Sequence, residues 1–400
     1  MNGIIEISII NQKCKYRFYL KIIFNSRNLY KKTEYLLADC LDLKLSEDFA
    51  YLVFLEMIKQ NLSAHYMTIN DDLYNNYSIN NIEMLNTSKM IKWKFINGDF
   101  LEKYLEFILK LKVVLAAYDY YSFDNLFYNI EYITYIFLGH GVHYFKKYLY
   151  SNYHSCQKFN KILVPPSNIL VSIAKNYGCN DENIIQLGLP KWDKFSQNQK
   201  NYKNISIFLM FTWRKMRYGK NISEYYVNNT INLLSNNKLN NLLKKRNITL
   251  LYSLHHELKK KIKLKNFEPL RNLKNIERIN QSQIFESLAK SSLLISDFSS
   301  IIFDFMYQKK PFVLFVPDSD DPQIKDIYIE EYYDIINGLK NDSIAFENKC
   351  FDLKKAINKI IYYIKNNFTL ELKLKKFYNS FHLNAKNNTN NFIEYLKALS

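Results

Sequence analysis

The sequence contains little cysteine, and its cysteines form no metal-binding or disulfide pattern. The five are Cys14, Cys40, Cys156, Cys179 and Cys350. An odd number without a C-x-x-C pair indicates neither a disulfide framework nor a thiolate zinc site, which favours a reducing compartment. No H-E-x-x-H pattern or acidic cluster marks a metal site either. The sequence therefore indicates no metal ligands and no cofactor, and it leaves a requirement for a divalent cation open.

Long apolar runs are also missing. The first residues do not combine a basic segment with a long apolar stretch, and no later run approaches the roughly 18 apolar residues of a spanning helix. No repeat with a period of about 20–50 residues is visible, which excludes a solenoid. We therefore expect a cytoplasmic protein, soluble or peripheral on the inner face of the cell membrane.

The charge of the chain is strongly positive. Lysine and arginine total 55 against 38 acidic residues, which gives a net charge of +17. Such a balance favours polyanionic partners, among them anionic lipid, phosphate-rich substrates and nucleic acid. The basic run from Lys259 to Lys265 is more typical of a solvated helix face than of a binding patch. A non-catalytic RNA-binding protein is the alternative that this charge suggests. The sequence contains no RNP-like or GXXG clamp pattern, so we expect no nucleic-acid partner.

The order of apolar segments predicts an α/β protein. With 400 residues and 48% apolar content, the chain is long enough for two domains with their own cores. Residues 1–130 are α/β in character and hard to divide further. Beyond them, strands alternate with helices, which is typical of parallel, doubly wound sheets. A polar stretch near Ser196 to Asn204 divides the chain into domains 1–200 and 201–400, with helices predicted at the C-terminus.

The clearest pattern is a strand, a polar turn and a helix between Ser292 and Met306. The turn places Asp297, Ser299 and Ser300 where a helix would begin, and backbone N–H groups at such a point favour phosphate. Asp304 follows Ser300 by one turn on the same face, where it would accept from a ligand hydroxyl or orient Ser300. The alternative is an ordinary βαβ unit with a serine N-cap.

Three further polar clusters directly follow predicted strands, where the binding crevice of an open α/β sheet lies. They are Gly139-His140-Gly141, Thr212-Trp213-Arg214 and His255-His256. His140 lies between two glycines that permit a sharp turn, and it would suit proton removal from a hydroxyl, with Lys146 within reach. The alternative for His140 is a hydrogen-bonded, inert turn histidine. Arg214 offers a planar fork for phosphate, and one histidine of the pair would donate to a pyrophosphate.

In order and spacing, these clusters resemble the CDP-glycerol glycerophosphotransferase family, whose members synthesise teichoic-acid-like polymers. The segments that carry the resemblance are Phe137-Leu138-Gly139-His140-Gly141-Val142 with Lys146, Leu187-Gly188-Leu189-Pro190-Lys191-Trp192-Asp193, Phe211-Thr212-Trp213-Arg214, Leu254-His255-His256 and Ser296-Asp297-Phe298-Ser299-Ser300-Ile301-Ile302-Phe303-Asp304-Phe305. They span roughly residues 132 to 320. His256 stands where the family usually has proline, and Lys191 where arginine is common.

The resemblance implies a GT-B architecture, with two Rossmann-like domains facing a central cleft. It also implies that His140 is the base for an acceptor hydroxyl, and that His255 is the second catalytic histidine, with His256 as the alternative. Donor-binding residues would be Arg214, His256, Asp297, Ser299, Ser300 and Asp304, with Gly139, Gly141, Lys146, Gly188 and Pro190 as further candidates.

The implied donor is CDP-glycerol or another CDP-polyol, and the implied acceptor is a lipid-linked glycan or polyol phosphate. A glycosyltransferase that uses a nucleotide sugar on the same fold is the alternative, and the identity of the donor separates the two.

Overall fold

The computed structural model describes most of the chain. The described residues are 3–10, 17–24, 34–38, 49–68, 84–86, 111–117, 133–139, 141–142, 144, 159–197, 205–212, 222–254, 270, 272–280, 283–297, 299–316, 349–350, 352–383 and 386–399. Within these ranges, no helix combines the length and the apolar character needed to cross a bilayer.

The first sheet contains seven parallel strands from residues 34 to 186. In chain order they are β3 (Glu34–Ala38), β4 (Ala64–Thr68), β5 (Met84–Asn86), β6 (Leu111–Ala116), β7 (Thr134–Phe137), β8 (Lys161–Val164) and β9 (Ile184–Gln186). Their order across the sheet is β5-β4-β3-β6-β7-β8-β9. Before them, β1 (Gly3–Ile10) and β2 (Arg17–Phe24) form a separate antiparallel pair.

The second sheet contains six parallel strands from residues 206 to 350. They are β10 (Ser206–Met210), β11 (Thr249–Ser253), β12 (Ile276–Arg278), β13 (Leu293–Ser296), β14 (Phe312–Phe315) and β15 (Lys349–Cys350). Their order is β12-β11-β10-β13-β14-β15. Both sheets thus run outward from their first strand, back across it, and on to the other edge, which is the order of a dinucleotide-binding Rossmann fold.

This arrangement confirms the predicted parallel α/β architecture. The apolar runs at residues 132–138 and 249–254 contain β7 (Thr134–Phe137) and β11 (Thr249–Ser253). The division into domains at about residue 200 stays a prediction. In such a sheet, ligands bind at the switch point, where the chain reverses its direction of winding. The switch point of the second sheet lies between β10 and β13.

Ten helices are described. They are α1 (Phe49–Lys59), α2 (Asn168–Asn176), α3 (Trp192–Gln197), α4 (Ile222–Leu234), α5 (Asn237–Arg246), α6 (Ile284–Lys290), α7 (Ile301–Tyr307), α8 (Leu353–Lys365), α9 (Leu372–Ser380) and α10 (Asn388–Leu399). Gly178 follows α2 with a φ of +89°, so it ends this helix in the left-handed region. The Asp352 side chain caps α8 by accepting from the Lys355 N–H at 2.8 Å.

The second sheet is buried on both faces. Because side chains alternate across a strand, Ile207 and Leu209 of β10 point into a core shared with α4, α5 and α8, while Phe208 points the other way. The Phe208 side belongs to a larger apolar core that also contains the first sheet, α7 and α9. The two sheets therefore share one continuous hydrophobic core among the described residues.

The last helix, α10, packs against the short helix α3 from the middle of the chain and against α1. The Asp193 carboxylate of α3 accepts from the Asn388 N–H at 2.9 Å and from the Thr389 N–H at 2.7 Å, at the first turn of α10. α10 also lies against α1, where the Gln60 amide donates to Asn390 at 3.2 Å. The end of the chain thus packs on helices that precede the second sheet.

Candidate functional site

At the switch point of the second sheet, a buried carboxylate links the ends of β10 and β13. Asp297 follows β13 and is 1% exposed. Its carboxylate accepts from the Thr212 N–H at 3.0 Å and from the Thr212 hydroxyl at 2.9 Å. Thr212 follows β10, and the Ser296 hydroxyl adds a second link by donating to the Met210 carbonyl at 2.6 Å. Asp297 therefore fixes the loops after β10 and β13 side by side, at the place where an α/β sheet binds its ligand.

Ser299 and Ser300 lie in the turn between β13 and α7, and both are half-buried. Ser300 is the N-cap residue of α7, but its side chain makes no capping hydrogen bond. The backbone carbonyl of Ser299 accepts from the Ile302 N–H at 3.2 Å. The main chain of the turn is thus ordered by α7, while the Ser300 hydroxyl is not used to begin the helix, contrary to the simple N-cap alternative.

The glycines around His140 place the first sheet against this serine turn. Gly139 follows β7 with a φ of +69°, a conformation that glycine adopts without strain. A Cβ atom built on Gly141 would lie 2.6 Å from Cβ of Ser300. Only a residue without a side chain fits there, because carbon atoms prefer separations of about 3.5–4.0 Å. The loop after β7 and the turn after β13 therefore meet directly, as expected for polar clusters at strand ends.

A small, open and largely apolar pocket lies beside Gly139 and Gly141, at the ends of β7 and β8. It is lined by Phe137, Gly139, Gly141, Val142, Ile162, Leu163, Val164, Pro165, Leu170 and Leu189. The pocket belongs to the first sheet, whereas Asp297, Ser299 and Ser300 belong to the second.

Gly188 and Pro190 are buried in the turn that joins β9 to α3. In this turn the Trp192 N–H donates to the Leu189 carbonyl at 2.9 Å, and the Asp193 N–H to the Pro190 carbonyl at 3.2 Å. Pro190 also accepts from the Thr389 hydroxyl at 3.3 Å through its carbonyl. The two predicted residues thus shape the start of α3.

Asp304 is placed on α7 and is 2% exposed. Its Oδ2 atom forms an ion pair with Lys191 Nζ at 2.8 Å, and its Oδ1 atom accepts from Trp192 Nε1 at 2.9 Å. The Trp192 ring stacks on Tyr307, with centroids 4.7 Å apart. Both carboxylate oxygens are bonded to residues that precede the second sheet, which sequence reasoning did not anticipate.

Five predicted site residues lie outside the described part of the chain: His140, Lys146, Arg214, His255 and His256. The structure does describe residues next to or near four of them in the sequence. Gly139 and Gly141 flank His140, Thr212 precedes Arg214 by two residues, and Leu254 directly precedes the histidine pair. Among the described residues, no group of three or more His, Cys, Asp or Glu side chains could hold a metal ion.

Sequence reasoning missed Lys191 and Trp192 as members of the site. Both lie within the segment that carries the family resemblance, but their partner Asp304 is 113 and 112 residues further along the chain. No local pattern connects positions so far apart. The one available signal was the position of Lys191 directly after Pro190, at the start of a helix.

Solved structures with the same arrangement define the class of fold. A structure of the wall teichoic acid polymerase TagF, soaked with CDPG, matches with a TM-score of 0.60 and 14% identity over 92% of this chain and 88% of that one. A UDP-GlcNAc 2-epimerase from Neisseria meningitidis matches with a TM-score of 0.54 and 12% identity, over 92% of this chain and 100% of that one. The fold is GT-B-like, with two Rossmann-like units and parallel sheets, as the sequence predicts.

The family is identified by its sequence model. The model for CDP-Glycerol:Poly(glycerophosphate) glycerophosphotransferase matches residues 44–392, so the chain belongs to this family.

Two curated relatives come from Bacillus subtilis (strain 168). The minor teichoic acid biosynthesis protein GgaB is 26% identical over 297 residues, which is 66% of this chain and 30% of that protein. The teichoic acid glycerol-phosphate primase is 25% identical over 187 residues, 46% of this chain and 45% of that protein. The matches thus span less than half the length of these relatives.

Proposed function

We propose that the protein transfers glycerol phosphate, or a related polyol phosphate, from a CDP-activated donor to a hydroxyl of a growing, lipid-linked cell-surface polymer. Family membership supports the reaction class. The observation that carries the proposal is the direct meeting of the Gly141 loop with the Ser300 turn, at the switch point of the second sheet. An acceptor on one side of this contact and a CDP-linked donor on the other would be adjacent.

In the proposed reaction, the acceptor oxygen attacks the phosphorus atom that carries the polyol. A new P–O bond forms to the acceptor, the bridging P–O bond breaks, and CMP departs with the bonding electron pair. The acceptor proton passes to His140, which the resemblance assigns as the base. Phosphoryl transfer depends mainly on positioning and on neutralising charge, so the groups around the pyrophosphate should be cationic or hydrogen-bond donors.

The proposed donor side is the crevice between the loops after β10 and β13. Asp297 holds these loops together at Thr212, and Arg214 follows Thr212 by two residues in the sequence. In our proposal Arg214, the two serine hydroxyls and either His255 or His256 hold the pyrophosphate. The carboxylates of Asp297 and Asp304 are bonded to protein groups, so they would shape the donor site from behind.

The proposed acceptor side is the first sheet, where His140 lies between Gly139 and Gly141 in the sequence and Lys146 follows six residues after His140. The pocket at the ends of β7 and β8 adjoins the two glycines.

We place the reaction at the cytoplasmic, inner face of the membrane. Residues 353–380, which form α8 and α9, contain seven lysines and one acidic residue, Glu371. The three lysines of α9, Lys373, Lys375 and Lys376, are exposed, and Leu372 beside them is 69% exposed. Basic residues with an adjacent exposed apolar side chain suit an anionic bilayer, where each contributes about 1 kcal/mol near the surface.

The test is CMP release by the purified protein. CDP-glycerol and CDP-ribitol are compared with a panel of UDP- and GDP-sugars, each with a membrane extract as acceptor. We expect CMP from a CDP-polyol, and a loss of about 10²-fold or more in the His140→Ala variant. His382→Asn is the matched control, since His382 is exposed and its φ of +50° is tolerated by asparagine. Turnover of a nucleotide sugar alone would keep the fold and replace the proposed activity.

A further inference from the structure

The buried carboxylate of Asp304 joins the two halves of the proposed site. Asp304 lies on α7, four residues after Ser300, and Lys191 and Trp192 lie at the start of α3, directly after the last strand of the first sheet. Side-chain exposures of 12% for Lys191 and 2% for Asp304 show that the ion pair is almost free of water.

Two aromatic contacts near this ion pair also join α3 to helices of the second sheet, α7 and α6. The Trp192 ring stacks on Tyr307 of α7 at an interplanar angle of 15°. One turn further along α3, Phe195 stacks on Phe285 of α6, with centroids 4.4 Å apart. Two aromatic stacks and the hydrogen bonds of one buried carboxylate therefore hold α3 against α6 and α7. We call these contacts the α3 seam.

The α3 seam and the contact of Gly141 with Ser300 connect the same parts of the molecule. Ser300 begins α7, so any shift of α7 at Asp304 moves the Ser299–Ser300 turn relative to the Gly141 loop. A buried ion pair contributes little net stability, because desolvation offsets the attraction, but removing one partner leaves an uncompensated buried charge that disturbs the packing around it. Each carboxylate oxygen of Asp304 already accepts a hydrogen bond from a protein side chain, which argues against direct binding of the donor.

We propose that Asp304 is a positioning residue whose bonds to Lys191 and Trp192 set the distance between the serine turn and the His140 loop. This inference rests on the proposed function. It predicts that loss of the carboxylate slows the chemical step while donor affinity is retained, because the proposed donor contacts all follow strands of the second sheet, and Asp297 still links the loops after β10 and β13. A displacement of about 1 Å between reacting groups lowers rates by about 10²-fold.

The experiment compares Asp304→Asn with Glu371→Gln. Glu371 is a matched control, because it also accepts from a lysine, Lys359 at 3.0 Å, and from an aromatic donor, Tyr363 at 3.2 Å, but lies between α8 and α9. We expect Asp304→Asn to lower kcat for CMP release by about 10-fold or more, with the calorimetric Kd for CDP-glycerol changed less than about 3-fold. Glu371→Gln should leave both unchanged in the folded fraction.

Two further variants keep the inference falsifiable if Asp304→Asn does not fold. Trp192→Phe removes one donor to the carboxylate and leaves the ion pair, so kcat should fall while the protein folds. Lys191→Arg should restore the kcat that Lys191→Met loses, because the guanidinium again pairs with the carboxylate. A loss of donor affinity equal to the loss of kcat/KM would show that Asp304 binds the donor directly, and a fall in kcat no larger than that of Glu371→Gln would show a merely structural role.

Hydrogen exchange separates this inference from the proposed function. In Asp304→Asn, amides of α3 and α7 should exchange faster than in Glu371→Gln, whatever the substrate. If the protein turns over no CDP-polyol, the proposed function is overturned. Faster exchange in Asp304→Asn would still support the structural role of the α3 seam in that case. Unchanged exchange in both helices would overturn the inference even in an active enzyme.

Discussion

Replacing Gly141 by alanine tests whether the contact between the two loops is needed for activity. The positive-φ glycines among the described residues are Gly139 and Gly178, so Gly141 does not use a backbone conformation reserved for glycine. The added methyl group would lie 2.6 Å from Cβ of Ser300. Rotation of the Ser300 hydroxyl cannot relieve this clash, because Cβ does not move with it. The effect of the substitution is therefore a forced separation of the loops.

The size of that separation follows from the contact distance. Carbon atoms pack at about 3.5–4.0 Å, so the Gly141 loop and the Ser300 turn must part by about 1 Å. A displacement of this size between reacting groups lowers a rate by about 10²-fold. We expect Gly141→Ala to lower kcat for CMP release from CDP-glycerol by about 10- to 100-fold, measured at saturating donor and corrected for the folded fraction.

Gly178→Ala is the matched control for Gly141→Ala. A Cβ atom there has nothing within 4 Å, but the φ of +89° strains any other residue. Gly178→Ala should lower the free energy of unfolding by about 1 kcal/mol and leave kcat unchanged. Gly141→Ala, in contrast, should lower kcat. A Gly141→Ala enzyme with normal kcat would refute the reasoning that the two loops must touch during the reaction.

Two further predictions concern pH and membrane binding. Burial lowers the pKa of Lys310 to about 8, so between pH 8 and 10.5 the unfolded chain holds a proton that the folded chain lacks, and stability rises with pH. Lys310→Met should flatten this rise in urea unfolding between pH 7 and 10, and unchanged slopes would contradict the assignment. Sedimentation with anionic vesicles should weaken at high salt and when the three α9 lysines become glutamate. The same change at Lys238, Lys244 and Lys245 of α5 should have less effect, and equal effects would mean that net charge alone governs binding.

The four central strands of the second sheet, β10, β11, β13 and β14, were predictable because each is a short apolar run, whereas the edge strands β12 and β15 are short and partly charged. The segment from Ser292 to Met306 is the best example, since the observed β13 and α7 lie within one or two residues of the predicted bounds. The apolar run from Tyr51 to Met57 shows the opposite case. Its length suits a strand or a helix, and its burial in α1 against β3 and β4 decides the matter. Tertiary packing, which no local pattern contains, selects the helix.

The partners of the two buried aspartates could not be predicted. Asp297 accepts from Thr212, 85 residues away, because the strand order places β10 and β13 side by side. Asp304 pairs with Lys191 because α3 packs on α7. Sequence reasoning assigned Asp297 to a ligand, because it follows a strand, and it assigned Asp304 to a ligand hydroxyl or to the orientation of Ser300. Which neighbour satisfies such a residue depends on contacts between distant elements.

The packing of α10 has a consequence for exchanging parts between relatives. This helix lies at the C-terminal end of the described residues, yet its first N–H groups donate to Asp193 and it lies against α1, so it packs on helices that precede the second sheet. A chimera joined once, near residue 200, would pair the first sheet of one parent with α10 of the other. Two joins, one before β10 and one between α9 and α10, would transfer the whole second sheet from one parent and keep α1, α3 and α10 from the other.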